Sequence, residues 1–171
     1  MPVSFAKPGL WAMLAAALIL GMLAAAVFPP EADGRGPEIV GVASVIDGDT
    51  IEIHDRRIRL DGIDAPESAQ VCFRAGERER CGQASAFYLA DLIERKTVRC
   101  VPHEVDRYGR DIATCWLADT NLNQRMVEAG QAVAYRKYSM RYVAAEDEAE
   151  AGRQGIWATE FTMPWEWRRA H

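Results

Sequence analysis

Thr50-Ile51-Glu52-Ile53-His54-Asp55-Arg56-Arg57-Ile58-Arg59-Leu60-Asp61-Gly62-Ile63 is the stretch that decides the fold. From Thr50 to His54 apolar Ile51 and Ile53 alternate with Glu52 and His54, the two-residue period of a half-buried strand. Asp55-Arg56 turns the chain, and alternation resumes from Arg57 to Ile63 with Ile58 and Leu60 inward. Arg59 then points to the opposite face from these two. Upstream, Ile39 to Ile46 is rich in β-branched residues and reads as a strand, closed by the tight-turn signal Asp47-Gly48. Three strands in succession make a meander.

Downstream, Asp64-Ala65-Pro66-Glu67 leaves the third strand, because Pro66 cannot donate to a ladder. Ser68 to Arg80 reads as a charged, irregular loop. Gln83 to Glu94 places Ala86, Phe87, Ala90 and Ile93 at helical spacing. Thr97 to Val101 and Asp111 to Leu117 read as strands four and five. Asn121 is a cap for a helix through Glu128, ended by Gly130. Val133 to Tyr135 is a short extended piece, and Tyr142 to Arg153 is a third helix. The tail Pro164-Trp165-Glu166-Trp167 is expected to fold back, since exposed tryptophans are costly. The expected fold class is mainly β with helices (α+β): a five-stranded OB-fold barrel with about three helices. A helix between strands three and four suits that barrel, which often binds oligonucleotides across one face.

The chain has 171 residues, 49% of them hydrophobic, enough for one globular domain with a core. Residues 39–171 form that domain, residues 30–38 a linker, and residues 1–29 something else. Lys7 precedes an uncharged apolar run from Leu10 to Phe28, followed by Pro29-Pro30. The run reads either as a cleaved signal peptide, with Ala24-Ala25-Ala26 as the small residues, or as a single-span anchor. Both readings place the domain outside the cytoplasm. Cys72, Cys81, Cys100 and Cys115 lack zinc-knuckle spacing and form an even set, which in an exported protein points to disulfides. Of three pairings, Cys72–Cys81 across a polar loop and Cys100–Cys115 across a hairpin are favoured.

The net charge of −5 argues against gripping nucleic acid by bulk electrostatics. The charges are unevenly placed, however. Glu146, Asp147, Glu148 and Glu150 fall on one late helix and read as a solvated face. Arg56, Arg57, Arg59, Arg107, Arg110, Arg136, Lys137 and Arg141 lie near the turns at the strand ends, so a cleft there is expected to be locally positive.

Three runs at those turns carry chemistry: Asp47-Gly48-Asp49-Thr50, Arg59 to Glu67, and Asp106-Arg107-Tyr108-Gly109-Arg110. Carboxylates hold a hard cation, guanidinium groups neutralise charge on a phosphorane, and a spare carboxylate acts on water. With Gly155-Ile156-Trp157 these runs, in this order, resemble the staphylococcal nuclease (thermonuclease) family over roughly Ile39 to Trp157. The resemblance implies a calcium-dependent OB-fold nuclease that cleaves DNA and RNA at the 5′-O–P bond and leaves 3′-phosphate ends. Carried over position by position, Asp49, Asp64 and the Ala65 carbonyl are the implied calcium ligands, with Asp47 nearby. The family often has threonine where Ala65 stands; the change spares the carbonyl ligand but removes the hydroxyl that could hydrogen-bond around the metal site. Glu67 is the implied group that orients or deprotonates water, and Arg59 and Arg110 the implied phosphate clamp. Tyr108, Tyr135 and Tyr138 are the candidates to stack on a base or bond a terminal phosphate. His54 and His103 have no metal-ligand spacing and read as structural. The expected partners are DNA and RNA, single strands favoured, bound by a monomer. A membrane is involved only if the N-terminal segment is retained.

Overall fold

The structure is a computed structural model and describes Met1 and residues 36–171. The signal or anchor expected at 10–28 lies outside the described residues. So does most of the linker. Among the described residues, no helix is long and apolar enough to cross a membrane.

The long first strand is broken. Strand β1 spans Ile39–Val42 and β2 spans Ser44–Asp47. They are followed by β3 (Thr50–Ile53), β4 (Arg56–Leu60) and the short β5 (Ile63–Asp64). Two further long strands, β8 (Thr97–Val105) and β9 (Asp111–Leu117), come after β6, β7 and α1 described below. The sheet runs in the order β1-β8-β9-β4-β3-β2. Its two edges are therefore the two halves of one strand, parted only at Ala43, and the sheet curls round on itself. All pairings along it are antiparallel except β4 with β9. This is the expected barrel.

Inside it lie Ile51, Ile53, Ile58, Leu60, Val98, Cys100, Ala113 and Cys115, all essentially inaccessible to solvent. The alternation read from the sequence thus names the core face correctly. The turn between β3 and β4 falls one residue earlier than expected. His54 and Asp55 both take positive φ (50° and 61°), the conformation that closes a tight hairpin. Strand four runs on to Val105 through Pro102. A register shift between Pro102 and Glu104 accommodates the missing N–H there.

The segment expected to be an irregular loop holds a hairpin, β6 (Cys72–Arg74) and β7 (Glu77–Glu79). Helix α1 then spans Cys81–Ile93 and buries Ser85, Leu89 and Ile93. After β9 come β10 (Thr120–Asn121), α2 (Leu122–Glu128) and β11 (Val133–Ala134). Asn121 caps α2 as expected: its side chain accepts from the Gln124 N–H at 3.1 Å. Helix α3 (Val143–Ala151), a 3-10 turn at Gly155–Ala158 and α4 (Pro164–Ala170) complete the described chain. Four α-helices stand where about three were expected. The extra one is the tail, which folds back as a helix with Pro164 in its first turn.

Both favoured disulfides are present, Cys72–Cys81 and Cys100–Cys115, a pattern that persists in oxidising surroundings. They do different jobs. Cys100 and Cys115 are register partners on β8 and β9 within the barrel core. Cys72 and Cys81 belong to a second apolar cluster with Val133 and Ile156, against which Trp157, Phe161, Met163 and Trp165 pack. The tail is thus laid over the Cys72–Cys81 bridge.

The acidic face expected on α3 is not wholly solvated. Glu146 is 3% exposed, accepts from the Ala134 N–H at 2.9 Å and pairs with Arg136 at 2.6 Å. Helical spacing turns Glu146 inward, and β11 offers it an unpaired backbone donor. A buried amide, Asn123, ties α2 to the sheet. Its oxygen accepts from the Cys115 N–H at 3.0 Å, and its nitrogen donates to the Asp61 and Ala113 carbonyls. That clamp fixes the chain just before β5.

Candidate active site

The turn Asp47-Gly48-Asp49 between β2 and β3 is built around its first residue, whose Oδ1 accepts from the Asp49 N–H at 3.0 Å. Gly48 is required by space. A Cβ there would lie 1.9 Å from Ser85 Oγ and 2.7 Å from Ala65 Cβ. The close approach of α1 presses the turn against the start of the Glu67 loop. Asp49 is consequently buried (3% exposed), and its Oδ2 accepts from the Ala65 N–H at 2.9 Å.

Arg59 on β4 faces Thr50 across the ladder and reaches both acids. Its Nη1 donates to Asp49 Oδ1 at 2.6 Å and its Nη2 to Asp64 Oδ1 at 2.7 Å. Asp64 sits on β5, where pairing with Val133 on β11 fixes it, and it is wholly buried. Burial alone would push Arg59 to lose its proton, but the charges of Asp49 and Asp64 outweigh burial and raise its pKa. Asp64 is raised above the usual carboxylate range, first by burial and then by the charge of Asp49. Asp47 is raised to about 6, by burial and then by Asp49. Burial is the larger cause in both, and the charge of Asp49 adds to it.

Glu67 follows Pro66 in a loop closed by one buried side chain. Gln70 Oε1 accepts from the Glu67 N–H at 3.2 Å, and the Gln70 N–H donates to the Glu67 carbonyl at 2.7 Å. Gln70 Nε2 donates in turn to the Thr162 carbonyl at 2.6 Å, joining this loop to the start of the tail. The Glu67 carboxylate is held by Arg168 of α4, whose Nη1 donates to its Oε1 at 2.6 Å.

Arg110 closes the loop between β8 and β9. Asp106 organises that loop by accepting from the Tyr108 and Arg110 N–H groups at 2.9 and 3.0 Å. Gly109 supplies the positive φ of 80° that the turn needs. Arg110 donates from Nε to Asp106 Oδ2 at 2.8 Å. Burial works against ionised Asp106, but its hydrogen bonds with Arg110 and Tyr108 prevail and hold it below the usual range.

An open cleft of about 1380 Å³ collects these groups. Arg59, Ala65, Glu67, Arg110, Tyr108, Tyr135 and Tyr138 all line it, so seven predicted residues share one cleft with Asp49. Asp64 lies beneath, joined to it through Arg59. Arg57, Arg107, Arg136 and Lys137 line it too, which supplies the expected local positive charge. Arg56 pairs instead with Asp111, and Arg141 pairs with Asp61, which lines the cleft.

The sequence reading missed the part played by the tail. Arg168 holds Asp64 through both its oxygens, at 2.9 and 2.8 Å, as well as Glu67. Trp165 stacks on Tyr135 with ring planes 1° apart and centroids 5.6 Å apart. A signal existed. Trp165 and Arg168 are three residues apart, which puts them on one face of any helix there.

For a metal ion, the available donors are carboxylate and carbonyl oxygens, the set a hard divalent cation takes. Among the described residues no three His, Cys, Asp or Glu side chains gather closely enough to hold an ion by themselves. A two-carboxylate set completed by a carbonyl and water fits, and Asp47 and Asp64, each raised by burial and by the charge of Asp49, mark where positive charge is wanted.

A small OB-type barrel with acids and arginines crossing at its strand ends, beside an aromatic wall, defines the staphylococcal-nuclease class of folds. A family model for staphylococcal nuclease homologues matches residues 57–159, and the chain belongs to that family. It is 38% identical over 160 residues to the micrococcal nuclease of Shigella flexneri, covering 83% of this chain and 84% of that protein. It is 39% identical over 145 residues to the succinoglycan biosynthesis protein ExoI of Rhizobium meliloti (strain 1021), covering 82% and 76%. An uncharacterized endonuclease of Haemophilus influenzae is 35% identical over 136 residues, covering 75% and 71%.

Proposed function

We propose that this protein is a calcium-dependent nuclease that hydrolyses phosphodiester bonds of DNA and RNA with little sequence preference and leaves 3′-phosphate ends. Residues 39–171 are its catalytic domain, working outside the cytoplasm. Arg59 carries the reading: one guanidinium lies across two buried carboxylates, with Glu67 in the same hydrogen-bonded cluster. An ordinary surface ion pair does not need two buried acids.

Arg59 and Arg110 each present a flat fork that matches two phosphate oxygens, which lysine cannot do. Glu67 orients water or takes its proton at Oε, a contribution of about 10²–10⁴ in rate. Asp49, Asp64 and the Ala65 carbonyl would hold calcium, which when bound supplies charge to stabilise the phosphorane. Tyr135, stacked on Trp165, and exposed Tyr108 and Tyr138 offer ring faces to unstacked bases. An open cleft with aromatic faces suits a single strand better than a duplex.

The test uses the oxidised full chain with single-stranded DNA in calcium, in magnesium and in chelator, with Glu67→Gln in parallel. Cleavage only with calcium, giving 3′-phosphate ends and lowered at least about 10²-fold in the variant, is the expected result. DNA bound but uncut would overturn the reading in favour of a binding module.

A further inference from the structure

Two guanidinium groups meet on one buried oxygen. Asp64 Oδ1 accepts from Arg59 Nη2 at 2.7 Å and from Arg168 Nη1 at 2.9 Å. Like charges are brought this close only where an anion sits between them, and here that anion is Asp64. A guanidinium is a permanent cation, and that of Arg168 is aimed at the same point as Arg59.

The two arginines hold Asp64 unequally. Arg59 takes one oxygen, whereas Arg168 engages both and reaches on to Glu67. A divalent cation seated on Asp64 needs at least one of those oxygens, so cation and Arg168 compete. Once displaced, Arg168 cannot leave the cleft. Helix α4 stays tethered by the Trp165–Tyr135 stack, by Gln70 on the Thr162 carbonyl and by the paired backbones of Phe73 and Glu160 at 2.9 and 2.8 Å. Freed from Asp64, the Arg168 guanidinium stays beside Glu67, within reach of a phosphate clamped by Arg59.

We propose that Arg168 is a third phosphate-binding guanidinium of this site, parked on Asp64 and Glu67 until a divalent cation and a phosphodiester replace them. The inference rests on the nuclease reading and extends it. The substrate group is a non-bridging phosphate oxygen, and the tail helix is part of the substrate site rather than a strap outside it.

The idea predicts effects of opposite sign. Without its internal competitor, the cation binds more tightly. Without its third guanidinium, the enzyme binds the nucleic acid more weakly. A strut that merely held the loop in place would weaken both.

The experiment compares wild type, Arg168→Gln and Arg168→Lys as oxidised full chains. Calcium affinity is measured by titration calorimetry without nucleic acid, and kcat and KM on single-stranded DNA at saturating calcium. In Arg168→Gln, calcium should bind at least about fivefold tighter, the lower range of coupling between linked sites. KM should rise about tenfold. Arg168→Lys keeps the charge but loses the fork, so it should shift both in the same directions by less, and it serves if the glutamine variant folds poorly. Calcium affinity unchanged or weakened, or an unchanged KM, would overturn the proposal while leaving the nuclease intact. A wild type that neither binds calcium nor cleaves would overturn both.

Discussion

The acidic centre is held from two sides in two different ways. On the barrel side, Asp49, Arg59 and Asp64 sit on or beside strands whose backbones are paired, with both acids nearly inaccessible and Arg59 mostly buried. On the tail side, Arg168 arrives on a two-turn helix whose anchors are a ring stack, a backbone pair and one glutamine. The difference teaches that the same charges can belong to the fold or merely visit it. Barrel substitutions should disturb stability and turnover together, whereas tail substitutions should separate them.

The largest expected effect comes from the barrel side. Arg59→Lys loses the bond to one of its two buried acids as well as the phosphate fork, and turnover should fall about 10²–10³-fold in a steady-state assay. A variant with full turnover would remove Arg59 from the mechanism. Next is Gly48→Ala, where the new methyl collides with Ser85 and Ala65. A loss of about 2–3 kcal/mol in denaturant unfolding is expected, with calcium affinity falling alongside. Normal stability would mean that α1 can retreat and that the barrel side is softer than described.

The tail side is probed by Cys72→Ser with Cys81→Ser. Because Trp165 and Met163 pack against the cluster that contains that bridge, its loss is expected to loosen α4 while the barrel disulfide stays. Activity should drop about tenfold with calcium affinity within threefold, a coupling of about 1.4 kcal/mol for the former. Equal losses of both would break the comparison, since the tail would then be as integral as the barrel.

The smallest effect concerns Asp47. Its folded pKa of about 6 lies above the ordinary 3.8, so the folded chain holds that proton more tightly than the unfolded chain does. Ionising Asp47 therefore destabilises the fold progressively as pH rises from 3.8 to about 6, and the cost is complete above that. In chelator at pH 7–8, Asp47→Asn should stabilise by about 1 kcal/mol, after discounting for solvent screening at a part-exposed group. At pH 3 the advantage should vanish. Thermal melts across that range decide it.

The barrel was legible because its information is local. Alternation at Ile51, Ile53, Ile58 and Leu60 states the core face, and Asp47-Gly48 states the turn. The break at Ala43 was not legible, because β-branched residues continue through it, and only pairing with two different strands separates Val42 from Ser44. The hairpin at Cys72–Glu79 was hidden by its charges, which face solvent on a two-stranded ribbon and leave no apolar stripe to read. Glu146 and Arg168 escaped for a common reason. Each is a charged residue on a short helix whose partner lies on another element, ten residues away for Glu146 and 104 for Arg168, and charge alone does not say whether it faces water. The tryptophans foretold that the tail would fold back, but not that an arginine would come with them.

The split first strand also has a consequence for the order in which the domain can be made. Ring closure pairs Ile39 with Cys100, and the acidic turn at Asp47–Asp49 follows directly on the second half of that strand. Contacts this distant along the chain form late. On a ribosome the turn emerges early, yet it lacks its packing against α1 until that helix follows, and neighbouring Asp64 lacks the counter-charge of Arg168 until the tail is made. The acids are encoded first and finished last, so a nascent chain of this protein carries no working site for most of its synthesis.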